Sequence, residues 1–108
     1  MTYAVTITGP AQDDIRDVVT YLTERSPNGA IAWRKALDGC LDRLRTRPES
    51  AGPAPESDQF KEVIRQAIFK TRSGRPYRII FVIRGESVYV LRVRCPGQDL
   101  LGPSDLTA

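Results

Sequence analysis

The spacing of apolar positions changes along this chain, and each change marks an element. Tyr3-Ala4-Val5-Thr6-Ile7-Thr8 is a short β-prone run that stops at Gly9-Pro10, where a proline suits the first turn of a helix. Ile15, Val18, Val19 and Leu22 then recur at helical spacing among Asp13, Asp14, Arg16 and Asp17. That pattern predicts a helix with one apolar stripe, acidic residues near its N-terminus and an end near Arg25. Ser26-Pro27 repeats the start signal, a serine cap followed by proline at the first helical position. In this second helix Ala30, Trp33, Leu37, Cys40, Leu41 and Leu44 fall three and four apart, a seam able to pack on the first helix and on a sheet. Trp33 reads as a core anchor. Pro48, Gly52, Pro53 and Pro55 break the helical period and make residues 46–58 a connecting loop.

Beyond it the period is that of strands. Three β-prone runs, 63–71, 77–84 and 88–95, are separated by Arg72-Ser73-Gly74-Arg75-Pro76 and by Gly85-Glu86-Ser87. They predict an antiparallel meander. The order strand, helix, helix, strand, strand, strand gives an α+β fold with the helical hairpin on one face of the sheet and the other face largely open.

Alternation assigns the faces. Tyr77, Ile79, Phe81 and Ile83 form an all-apolar side that should meet the helices, which leaves Arg78, Ile80, Val82 and Arg84 on the other side. On the last strand Tyr89, Leu91, Val93 and Cys95 are the more apolar set, and burying them turns Val88, Val90, Arg92 and Arg94 outward. A three-residue loop at 85–87 makes these choices compatible, pairing Arg84 with Val88, Val82 with Val90, Ile80 with Arg92 and Arg78 with Arg94. In the first meander strand both faces are mixed, so Arg65 could point either way.

Charge sharpens this picture. Residues 61–94 hold Lys61, Arg65, Lys70, Arg72, Arg75, Arg78, Arg84, Arg92 and Arg94 against only Glu62 and Glu86, whereas residues 1–60 are slightly acidic. Nearly all the positive field of a chain with formal net charge +3 thus lies in the meander. Such asymmetry favours an acidic partner, either nucleic acid or an acidic protein segment, over a solvated basic face. The Arg78/Arg94 pairing sets like charges opposite one another, at a cost of up to ~1 kcal/mol unless an anion offsets them. Glu62, Glu86 or Asp99 could supply that anion from within. Alternatively the guanidinium forks take phosphate or carboxylate from outside.

Composition removes several function classes. A length of 108 residues and 41% hydrophobic content suit one domain over residues 1–108. The longest apolar runs are a few residues, and no secretory leader stands at the N-terminus, so a cytoplasmic protein without a membrane span is expected. Cys40 and Cys95 lie far apart, and the chain has no histidine. No zinc site, redox pair or cofactor is expected, and Cys95, facing the core by parity, reads as a packing residue.

Together these residues resemble the RelE/ParE toxins of type II toxin-antitoxin modules, the plasmid-stabilisation type. The resemblance runs through Ala11, Asp14-Ile15, Tyr21-Leu22, Ser26-Pro27, Ala30, Trp33, Leu37, Leu44 and Pro48. It continues through Ile64-Arg65-Gln66, Tyr77-Arg78-Ile79-Ile80-Phe81, Val90-Leu91-Arg92-Val93-Arg94 and Pro96-Gly97-Gln98-Asp99. It implies a growth-inhibiting toxin held inactive by a cognate antitoxin that wraps it and covers its basic groove, with toxin and antitoxin able to form a higher-order assembly. RelE-like members cut messenger RNA on the ribosome, and Arg78 matches an arginine they use at the scissile phosphate, its catalytic role if this chain is a nuclease. That chemistry also moves protons, and this chain has no histidine and no tyrosine after Tyr89. Lys70 or Glu62 would have to substitute.

The long hairpin with Ser26-Pro27 and Trp33 resembles more closely the ParE-like branch, which inhibits DNA gyrase by binding. Arg65, Lys70, Arg72, Arg75, Arg78, Arg92 and Arg94 are then the candidates for contact with target or antitoxin. A toxin relic that binds antitoxin harmlessly is a further alternative.

Overall fold

The computed structural model describes residues 2–98, 100–102, 105 and 106. Strand β1 (Ala4–Ile7) leads into helices α1 (Gly9–Arg25) and α2 (Pro27–Thr46). Two 3-10 turns, Pro48–Ser50 and Pro55–Gln59, carry the chain to strands β2 (Arg65–Phe69), β3 (Tyr77–Arg84) and β4 (Ser87–Arg94). This is the expected α+β order. Ser26 caps α2 by accepting the Gly29 N–H at 3.0 Å, with Pro27 at the first helical position. Thr8 precedes α1 without capping it, because its hydroxyl donates to the Val90 carbonyl at 2.8 Å and so ties the helix start to β4. Since α1 begins at Gly9, Asp13 and Asp14 lie beyond its first turn, where the helix dipole has little hold.

The sheet order is β1-β4-β3-β2, with β1 parallel to β4 and the other pairs antiparallel. The whole α2 seam is buried, and Ile15 and Val18 of α1 join it against Ile79, Phe81 and Val93. Trp33 anchors this side, its ring centroid 5.6 Å from Phe69 and 5.5 Å from Tyr77.

Two expectations about the sheet are overturned. The hairpin turn has two residues, since Arg84 pairs with Ser87, and Gly85 takes φ +62°. A two-residue turn with glycine first matches the twist of the flanking strands, which is why it displaces the three-residue loop. It sends Val88 and Val90 to the helix side and Tyr89 to the opposite side. A β-bulge then adds Leu91 as an extra residue, so that Phe81 pairs with Val90 but Ile80 pairs with Arg92. Past the bulge the expected register holds, with Arg78 opposite Arg94 and with Val93 and Cys95 on the helix side.

The second correction concerns the face expected to be open. Ala54, Ile64, Ile80, Val82, Leu91 and Leu101 form another buried cluster there, with Phe60 and Leu106 against it. A strand as apolar on both faces as β3 needs cover on both. The loop before β2 and the stretch around Leu101 provide it. No helix among the described residues is long and apolar enough to cross a membrane.

Candidate functional site

The register brings Arg78 and Arg94 together on adjacent strands. A carboxylate from the preceding loop meets Arg78. The two terminal nitrogens of Arg78 each donate to one oxygen of Glu56 at 2.9 Å, and one of them also donates to Gln66 Oε1 at 3.1 Å. Glu56 accepts a further bond from the Leu101 N–H at 3.1 Å, and its side chain is 0% exposed against 19% for Arg78. Such a bidentate pair fixes both partners in geometry as well as charge.

The Arg78 hydrogen bonds outweigh the opposing effect of burial and hold the Glu56 carboxyl at about 2, against an ordinary 4.5. A carboxyl lowered in the folded state stabilises fully above its unfolded value. That stabilisation, of order 3 kcal/mol, should drain away as acid titration runs from about pH 5 towards pH 2. Glu56→Gln should lack this component, which urea unfolding at a series of pH values would show.

Arg92 is engaged in the same manner by α1. Its Nε and a terminal nitrogen donate to the two oxygens of Asp14 at 2.7 and 2.9 Å, and the Val93 N–H donates to Asp14 at 2.9 Å. Because β1 ends opposite Val90, this part of β4 has no strand on its β1 side, and Asp14 fills the place. Asp14 raises the Arg92 pKa above its ordinary value. Asp14→Asn should cost about 2 kcal/mol in chemical denaturation, most of it absent when Arg92 is already alanine; equal losses in both backgrounds would refute the coupling.

Five further cations divide into two groups. Arg84 forks onto Glu62 at 2.8 Å on both arms, an exposed pair that contributes little. Arg65 donates to the carbonyls of Ala51 at 2.7 Å and Glu49 at 3.4 Å, which holds the loop against β2. Lys70, Arg72 and Arg75, by contrast, are exposed after β2 and before β3, and no carboxylate pairs with them among the described residues.

Of the acids the sequence offered as neutralisers, Glu62 serves Arg84, Glu86 is exposed in the hairpin turn, and Asp99 lies outside the described residues. Glu56 and Asp14 perform that role. Asp14 carried a signal, standing four residues before the buried Val18 and so beside the apolar stripe. Glu56, in a proline-rich loop, carried none.

Other chemistry is muted. Burial pushes both the Cys40 and Cys95 thiols up, which leaves them poorly nucleophilic. No metal-holding cluster occurs among the described residues. Tyr77 packs with the helix-side core, on the other side of β3 from Arg78, and burial raises its hydroxyl above the ordinary value. Beside it, a groove of about 580 Å³ runs between the helices and the sheet end, lined in part by Asp17, Tyr21, Trp33, Arg75, Tyr77 and Cys95. An apolar floor with charged rims suits recognition of a partner segment.

Comparison with known proteins agrees with this architecture. A solved structure described as the chromosomal ParDE TA system from P. aeruginosa is similar, with a TM-score of 0.66 over 86% of this chain and 95% of that one at 14% sequence identity. No curated protein matches the sequence significantly. A family model for the ParE toxin of the type II toxin-antitoxin system parDE matches residues 5–100, from β1 past the end of β4. The chain belongs to the ParE toxin family of type II toxin-antitoxin systems.

Proposed function

We propose that this chain is a toxin that acts by binding DNA gyrase and is neutralised by an acidic segment of a cognate antitoxin. The observation that carries the choice against RNA cleavage is the state of Arg78. Both arms of its guanidinium are occupied by a fully buried glutamate, so binding a scissile phosphate there would require breaking a desolvated ion pair. The nearby tyrosine that could move a proton packs on the opposite side of the strand. Lys70, Arg72 and Arg75 are among the cations left for an acidic partner, with Arg75 on the rim of the groove.

A supercoiling assay with purified gyrase tests this reading. Added toxin should suppress supercoiling, and antitoxin added first should restore it. Undiminished supercoiling at saturating toxin, with codon-linked cuts in a translation reaction, would instead select the ribosome-dependent nuclease. Unimpaired growth during expression without antitoxin would select the harmless relic.

A further inference from the structure

The connection between β2 and β3, Lys70-Thr71-Arg72-Ser73-Gly74-Arg75-Pro76, is a closed turn. The Gly74 N–H donates to the Thr71 carbonyl at 3.2 Å, and the Thr71 hydroxyl packs so closely over Gly74 that a Cβ there would collide with it. The cations of the turn are therefore presented from a fixed frame at the end of the sheet. Lys70, Arg72 and Arg75 are all exposed, and no carboxylate pairs with any of them among the described residues. A further cation stands at the same end of the molecule. Tyr21 lines the groove together with Thr71, Gly74 and Arg75, and the Arg25 guanidinium lies 3.5 Å over the Tyr21 ring, which orients it without a carboxylate.

The composition of the turn distinguishes between kinds of acidic partner. It offers only cations, hydroxyls, glycine and proline. A protein partner is gripped at the centre of its interface by apolar and aromatic contacts, which such a turn lacks. Phosphate oxygens, by contrast, are bound by lysine, arginine, serine and threonine. The turn also has no aromatic ring on which an unstacked base could lie, because Phe69 and Tyr77 at its two ends pack with the helix-side core. We infer that this turn, flanked by Arg25, binds the phosphate backbone of duplex DNA without reading its sequence. The inference rests on the gyrase reading and adds that the toxin touches the DNA as well as the enzyme acting on it. Asp17 lines the groove beside Arg75 and partly offsets that charge, so Lys70 and Arg72 carry the larger share.

Fluorescence anisotropy with the full chain and a labelled duplex, in the absence of gyrase, tests this. Affinity should fall about sixtyfold between roughly 50 and 200 mM salt, the slope of about −3 expected when counterions leave three or four phosphates. Lys70→Gln and Arg72→Gln should each reduce that slope by about 1, and Arg75→Gln by less. Lys61→Gln removes the same charge ahead of β2, at the opposite end of that strand, and should leave the slope unchanged. A single strand of the same length should bind more weakly than the duplex. Equal losses for Lys61→Gln and Arg72→Gln would mean that net charge alone acts, and would overturn the turn. So would no binding at the lowest salt, a single strand or an RNA duplex bound more tightly than the DNA duplex, or a glutamate-rich peptide that displaces the duplex at lower concentration than unlabelled DNA does. The supercoiling assay reads the gyrase proposal separately. A chain that binds the duplex through this turn yet leaves supercoiling intact refutes the gyrase reading alone. One that suppresses supercoiling while failing these measurements refutes the turn alone.

Discussion

Replacing Glu56 with glutamine is expected to lower the free energy of unfolding by about 3 kcal/mol, the largest effect of any conservative substitution on this surface. Glu56 is the sole fully buried charged residue among those described, and three donors converge on it: both arms of Arg78 and the Leu101 N–H. Glutamine preserves the shape but removes the charge, and its amide group presents hydrogens to a guanidinium that can only donate. Arg78 is then a half-desolvated cation facing Arg94 across the ladder. The loss should extend to the stretch around Leu101, so amide exchange there should quicken together with the fall in urea midpoint. Adding Arg78→Met to Glu56→Leu should recover most of the loss caused by Glu56→Leu alone, because no buried charge is then left unpaired and only the Leu101 N–H still lacks its acceptor. A loss under 1 kcal/mol for Glu56→Gln would mean that solvent already screens the pair.

Trp33→Ala should cost about 3–5 kcal/mol, measured by the same denaturation. The indole is 2% exposed and packs against both Phe69 of β2 and Tyr77 of β3, two rings that stack on each other at 5.7 Å. Removing it opens a void at the junction of α2 with the sheet and takes away one wall of the groove. Trp33→Phe should cost considerably less. The indole N–H is buried with no hydrogen-bond partner, so phenylalanine removes an unsatisfied donor along with some packing area. If alanine and phenylalanine proved equally costly, the missing volume would not be the cause.

Much of this fold was legible because its signals are local. Ser26-Pro27 announces a helix start whatever surrounds it, and the seam from Ala30 to Leu44 follows from spacing alone. Strand faces are a different matter, because parity propagates. The turn at Gly85-Glu86 and the bulge at Leu91 each shift the alternation by one residue, and the two shifts cancel. The expected Arg78/Arg94 pairing therefore holds although the turn differs, while Val88, Tyr89, Val90 and Leu91 lie on the faces opposite to those their alternation suggests. The carboxylates that meet the arginines were hidden for another reason. Glu56 is 22 positions from Arg78 and Asp14 is 78 from Arg92, and no periodic pattern reports contacts at such separations. The excess of lysine and arginine marks the meander as basic, but it carries no information on which of those cations a distant carboxylate engages.

The parallel pairing of β1 with β4 bears on how the chain comes to be made. Thr8 and Val90 are 82 positions apart, yet they are bonded through both backbone and side chain. During synthesis β1 therefore waits for its neighbour, on the order of ten seconds at ordinary ribosomal rates, while the helical hairpin has already emerged with its seam uncovered. Throughout that interval the sheet that carries the arginines does not exist. The fold therefore cannot close until β4 has left the ribosome, and the apolar seam of α2 stays without its sheet for the whole of that interval.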